Sequence, residues 1–134
     1  VTYDFAVSVY ADLSLGPYPA DARTGPLGFA PWTEGLGVVL RRLAAELPGR
    51  PLLLAGCGFA TDDDRWRTDL LRDSIEEVGR AVDDGVPVKG FFHRTAVDGY
   101  EWDHGFDVAY GLFDRDRKPR GSAALARSYA LVPD

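Results

Sequence analysis

An α/β fold built on a parallel sheet is what this chain predicts, and three observations carry that expectation. Short apolar runs rich in strand formers alternate with longer stretches of helical periodicity, in the order strand, helix, strand, helix, strand, helix. The runs are continuously apolar, as strands covered on both faces are. Helix stops fall at the joints, Pro48-Gly49 after the first helix and Gly85 after the second.

Taken in order, residues Phe5 to Tyr10 (FAVSVY) read as the first buried strand. Leu15 to Pro31 holds Gly16, Pro17, Pro19, Gly25, Pro26, Gly28 and Pro31, which makes it a long loop. Loops of that length in compact domains usually carry function or lie over a site. From Glu34 to Leu47, the residues Leu36, Val39, Leu40, Leu43 and Leu47 share one helical face. Pro51 to Ala55 (PLLLA) is the second strand and runs into Gly56-Cys57-Gly58.

A second helix is expected over Asp62 to Asp84, with Thr61 as N-cap and Asp62, Asp63 and Asp64 at the positive end of the helix dipole. Trp66, Leu70, Leu71, Ile75, Val78 and Val82 form its inward stripe. Val88 to His93 (VKGFFH) is the third strand, followed by a loop around Asp98 to Gly105. Ala109 to Asp114 reads as a short extension, and Ser122 to Leu131 as a last helix entered after Pro119. Right-handed crossovers in this order build a parallel sheet covered by helices. Three strands cannot close a barrel, which needs about eight. The chain is therefore an open three-strand α/β domain or the terminal part of a larger barrel.

Composition narrows the function classes. With 134 residues and 46% hydrophobic content, one globular unit can bury a core. A net charge of −6 argues against a nucleic-acid partner. Acids and bases are interspersed over Asp62 to Asp73 and Asp114 to Arg120, the ordinary pattern of a solvated surface. No apolar run approaches the roughly 18 residues of a membrane span, and no leader suggests secretion. The single cysteine excludes an internal disulfide and favours a reducing, cytoplasmic setting. A start at Val1 without Met suits a fragment or a processed chain. No metal or other cofactor is expected. Cys57, His93 and His104 lack zinc-ligand spacing, and the Asp62 to Asp64 run lacks calcium-loop spacing.

The motifs choose between the two architectures. Val88 to Trp102, VKGFFHRTAVDGYEW, resembles the eighth-strand signature of family 1 glycoside hydrolases, the β-glucosidase-type barrels, which reads approximately V-x-G-Y-F-x-W-S-L-x-D-N-F-E-W. Gly105-Phe106 and Tyr110-Gly111-Leu112 match its following G-Y…F-G-L. Arg117-Lys118-Pro119-Arg120 with Ser122-Ala123 resembles R-x-P-K-x-S-A. Leu52 to Gly58 with Ala60 to Asp63 fits the seventh-strand T-E-N-G segment, and Asp4-Phe5 with Tyr10 is similar to the sixth strand's D-F…N-Y. The resemblance implies the C-terminal segment of a (β/α)8 TIM barrel of about three βα units. Residues 1–134 would form a single partial-barrel unit, completed by another chain or a missing segment.

It also implies a retaining mechanism with two carboxylates, one a nucleophile and one an acid/base. The acid/base belongs on the fourth strand, outside this chain. The nucleophile position is held by Gly56, so no catalytic residue is expected within the chain. Glu101 and Trp102 match residues that hold sugar hydroxyls, and Tyr10 matches one that contacts the nucleophile. Departures gather at the same place. Ala55, Gly56 and Cys57 stand for Thr-Glu-Asn, Arg94 for the tryptophan platform, Gly99 for the asparagine after the motif's aspartate, and Val9 for the sixth-strand asparagine. The expected substrate-binding set is Glu101, Trp102, Tyr10 and Arg94, with Ala55, Cys57, Gly99 and Tyr110 lining the pocket.

Each of these residues has a plainer alternative. Glu101 could be a structural carboxylate paired with an arginine. Arg94 could face solvent, or its guanidinium could hold a carboxylate or phosphate bidentately. Cys57 is read as a small buried residue, because no histidine lies near it in sequence to activate a thiolate. Two functions follow. The chain is either part of an O-glycosidase for β-glycosides that needs a substitute for the missing carboxylate, or a non-catalytic glycosidase-like module. A three-strand wedge exposes two sheet edges, so the expected partner is a complementary barrel segment or a second copy. The expected small ligand is a carbohydrate or an anion.

Overall fold

A computed structural model describes residues 1–130. Eight elements follow in order: β1 (Thr2–Tyr3), β2 (Ser8–Val9), β3 (Leu15–Gly16), α1 (Thr33–Glu46), β4 (Leu52–Cys57), α2 (Asp64–Asp83), β5 (Val88–His93) and α3 (Gly121–Ala130). Strands β1, β4 and β5 form a parallel sheet in that order, with Thr2 opposite Gly56, Leu54 opposite Phe91 and Cys57 opposite His93.

One face of the sheet is packed and the other is bare. Leu36 and Leu40 of α1 meet Leu52, Leu54 and Cys57 of β4, with Ala81 of α2 and Val86 closing the cluster. Full burial of such a leucine is worth about 1.5–3 kcal/mol. On the opposite face Leu53 is 51% exposed and Phe92 57% exposed. A Cβ at Gly90 would lie 3.0 Å from Leu53 Cδ2, so these residues share the bare side. Strand side chains alternate between faces, and here the helices cover only one of them.

The first strand differs from the expectation over Phe5 to Tyr10. The parallel sheet takes Thr2–Tyr3 instead, while Ser8–Val9 turns back as an antiparallel hairpin with Leu15–Gly16. Val7, Val9 and Tyr10 are more than half exposed. The run has strand-forming residues, but propensity does not say which neighbour a strand pairs with. The rest of the Leu15 to Pro31 stretch is irregular and anchored by Tyr18, whose hydroxyl donates to the Ala6 carbonyl at 2.5 Å.

Three helix details also change. Asp63, not Thr61, caps α2: its carboxylate accepts from the Arg65 and Trp66 amides, while Thr61 Oγ1 accepts from Asp63 N–H. Leu47 and Val82 are exposed rather than inward. The buried stripe of α2 is Arg67, Leu71, Ser74, Glu77 and Ala81. The charged run from Asp62 to Asp73 is therefore not all solvated surface, since Arg67 is 2% exposed. Leu131, expected in the last helix, lies outside the described residues. Among the described residues no helix is long and apolar enough to cross a membrane.

Candidate functional site

All three parallel strands point their carboxyl ends at one rim, where Asp4, Gly56, Cys57, His93 and Arg94 emerge. Sites in parallel α/β sheets form at that end, because the loops leaving it are free to vary over a rigid base. A close backbone crossing fixes the rim. Arg94 N–H donates to the Cys57 carbonyl at 3.1 Å, and a Cβ at Gly58 would overlap the Arg94 carbonyl oxygen.

Charge concentrates on Arg94. Its guanidinium donates to Glu101 Oε2 at 2.8 Å and lies 3.4 Å from Asp4 Oδ2, and it sits over the Tyr110 ring at 4.5 Å. The three ionised groups sum to −1. Burial, partly offset by Arg94, raises the Asp4 carboxyl above the ordinary aspartate value. Burial likewise raises the phenol of Tyr110, against the pull of Arg94. Glu101 thus takes the arginine-paired arrangement, and Arg94 does not face solvent alone. A guanidinium already shared by two carboxylates is a poor trap for a further anion, which weighs against the anionic ligand.

The remaining expected residues divide. Gly56 lies opposite Thr2, and a Cβ there would meet only Thr2 Cγ2, at 3.5 Å. A larger side chain therefore has room to start from that position. Cys57 points the other way, into the packing against α2, where burial pushes its thiol up to about 11 despite a hydrogen bond with Ser74. It is a buried structural thiol. Ala55 is exposed on β4, and its N–H donates to the Val1 carbonyl at 2.7 Å. Tyr10 sits in the hairpin with its ring against Gly16. Trp102 is 91% exposed, with Tyr100 at 6.3 Å between ring centroids, and Gly99 lies in the same open loop. The structure brings together Arg94, Glu101 and Tyr110; it does not bring Tyr10 or Trp102 against them.

Two ion networks support this rim from behind. Asp98 accepts from the Gly111 amide and from Arg120 Nη2, each at 2.6 Å. Asp64 accepts from Arg67 Nη1 at 2.7 Å and from Ser122 Oγ at 2.7 Å, tying α2 to α3. Burial alone would raise both carboxyls, but these hydrogen bonds outweigh it and hold them below the ordinary value. Arg67 also donates to the Thr61 and Ala109 carbonyls. Asp4, Arg67 and His93 were absent from the expected site. Asp4 was visible only as a motif letter, and Arg67 was hidden in a run that reads as surface.

This framework has known counterparts. The model of glycosyl hydrolase family 1 matches residues 26–130. The chain belongs to that family. It is 36% identical over 104 residues to a β-galactosidase from Sulfolobus acidocaldarius, covering 78% of this chain and 20% of that protein. It is 34% identical over 88 residues to a 1,4-β-D-glucan glucohydrolase from Thermotoga neapolitana, covering 59% of this chain and 21% of the relative. Among solved structures, a β-glycosidase from Pyrococcus horikoshii superposes with a TM-score of 0.85 at 28% identity, over 96% of this chain and 33% of that one. The chain spans about a fifth of the curated relatives and a third of the solved barrel. It is a partial segment of a TIM barrel, and the bare sheet face is the side that the other strands of a barrel enclose.

Proposed function

We propose that this family 1 segment forms a non-catalytic, glycosidase-like site, remodelled so that it no longer performs retaining hydrolysis and instead receives a ligand or a partner. One observation carries the reading: the Arg94 guanidinium occupies Glu101 at 2.8 Å and Asp4 at 3.4 Å. By the resemblance, Glu101 would hold sugar hydroxyls, and here one oxygen of its carboxylate, Oε2, is already taken by Arg94. Gly56 at the nucleophile position supports the same conclusion, since losing a covalent nucleophile costs several orders of magnitude in rate. The cluster's charge favours a neutral polyhydroxylated ligand over an anionic one. The bare face carrying Leu53 and Phe92 fits a complementary barrel segment as the partner.

The test is hydrolysis of an aryl β-glucoside by the protein with its complementing strands, with and without azide or formate. No release in either condition is the expected result. Release that depends on the small anion would instead define a glycosidase lacking only its nucleophile. Release without any added anion would overturn the non-catalytic reading, with retention of anomeric configuration in the product marking retaining chemistry and inversion marking direct attack by water. Gly56→Glu, for which the backbone has room, should then restore turnover only if the remaining site is intact.

A further inference from the structure

Behind the Arg94 cluster, between the ends of β1, β4 and β5 and the inner face of α2, lies a cavity of about 30 Å³. Asp4, Cys57, Arg67, Ser74 and His93 are among its lining residues. Three buried side-chain atoms in the described residues have no protein partner, Asp4 Oδ1, Arg67 Nε and His93 Nδ1, and all three residues line this one cavity. Elsewhere these side chains are well engaged. Asp4 Oδ2 faces Arg94, Arg67 binds Asp64 and two carbonyls, and His93 Nε2 lies 3.2 Å from the Tyr110 carbonyl.

Donor and acceptor counting identifies the missing partner. A carbonyl can only accept, so His93 Nε2 carries the proton and, in the neutral ring, Nδ1 is an acceptor. Burial lowers the His93 pKa, which agrees with the neutral ring. Asp4 Oδ1 is a second acceptor, and Arg67 Nε–H is a donor. The site thus needs a species that donates twice and accepts once. Halide and carboxylate anions cannot donate, and an ammonium cannot accept from Arg67. Water does both, and internal waters typically make about three hydrogen bonds. The volume exceeds the roughly 10–15 Å³ that one water requires. Buried polar groups left unpaired are costly, so a partner for all three is expected.

We propose that this cavity is a hydration site, where an internal water accepts from Arg67 Nε and donates to Asp4 Oδ1 and His93 Nδ1. Asp4 then joins the rim to the interior, one carboxylate oxygen on Arg94 and the other on the water. The water is a structural part of the rim, because it fixes the carboxylate that holds Arg94.

Water-selective nuclear Overhauser measurements on isotope-labelled protein test this directly. The expected result is a cross-peak from a long-lived water to the His93 Hε1 proton, with the sign of slow exchange, and imidazole nitrogen shifts of a neutral ring protonated at Nε2. His93→Phe should abolish that water's contact at residue 93 and shorten its residence beside Cys57 and Ser74. Absence of a long-lived water at His93, or a proton on Nδ1 bound directly to Asp4, would overturn the proposal. So would an unchanged long-lived water beside Cys57 in a folded His93→Phe protein, since His93 would then not be one of its partners.

Discussion

Two glycines two residues apart separate the parts of this molecule. Gly58 lies where the Arg94 backbone crosses β4 and has no room for a Cβ, whereas Gly56 has room and touches only Thr2. The first belongs to a framework that the packing enforces. The second belongs to a rim whose residues packing leaves open. The same contrast appears among the carboxylates. Asp64 and Asp98, in the framework, are held ionised by arginine and by amide or hydroxyl donors. Asp4, at the rim, is pushed towards its neutral form by burial. Buried polar links between α2, α3 and the loops hold the framework, while the rim above it is held by the exposed-edge pairing of Arg94 with Glu101 and Asp4.

The comparison breaks most visibly at its two arginines. Arg67→Ala removes the partner of Asp64 and of two carbonyls from a 2% exposed position, and should cost about 3–5 kcal/mol. Arg94→Ala removes a partly exposed guanidinium and should cost about 1 kcal/mol or less. Chemical denaturation of both proteins measures the gap, and equal losses would contradict a division between framework and rim. Next come the glycines. Gly58→Ala should lose about 1–3 kcal/mol through overpacking. Gly56→Ala should be neutral or gain roughly 0.5–1 kcal/mol, because glycine is a poor strand residue.

A smaller effect separates the carboxylates by pH. A depressed carboxyl contributes stability above its unfolded pKa of about 3.9, lost as pH falls through the lower folded value. Asp98→Asn should therefore cost about 1.5–3 kcal/mol at pH 7 and much less near pH 3. A raised carboxyl has the opposite sign: its contribution is present below the unfolded pKa and is lost as pH rises through the folded value. Asp4→Asn should accordingly leave stability at pH 7 unchanged or improved. Urea midpoints at the two pH values decide this, and an Asp4→Asn loss as large as that of Asp98→Asn would remove the distinction. The mildest test is chemical. With its thiol at about 11, Cys57 should resist iodoacetamide at pH 8 in the native protein and react fully once unfolded. Rapid native labelling would show that the sheet–α2 packing opens readily.

Much of this was legible in the residues. Helical periodicity and the acids at the start of α2 marked α1 and α2 to within two residues, although the face that α2 buries holds Arg67, Ser74 and Glu77 beside Leu71 and Ala81. The motif letters pointed to the strand-end rim on which Gly56 and Arg94 lie. The first strand was misplaced because FAVSVY expresses only a preference for extended backbone. Pairing with Gly56 and Cys57 falls to Thr2 and Tyr3, which have no apolar run to advertise it. Burial of Arg67 was illegible for a related reason: a charge flanked by charges reads as surface unless its buried carbonyl partners, Thr61 and Ala109, are known.

By itself, then, the sequence determined the family, the succession of α1, β4, α2 and β5, and the absence of a carboxylate from Leu52–Cys57, since these depend on local pattern and residue identity. Only the tertiary structure decided what Arg94 does. Asp4 lies 90 residues away from it and Glu101 seven, and they meet it because parallel strands deliver their carboxyl ends to one rim. Charge pairing at such a rim is a property of distance in space, and along the chain that distance is not written.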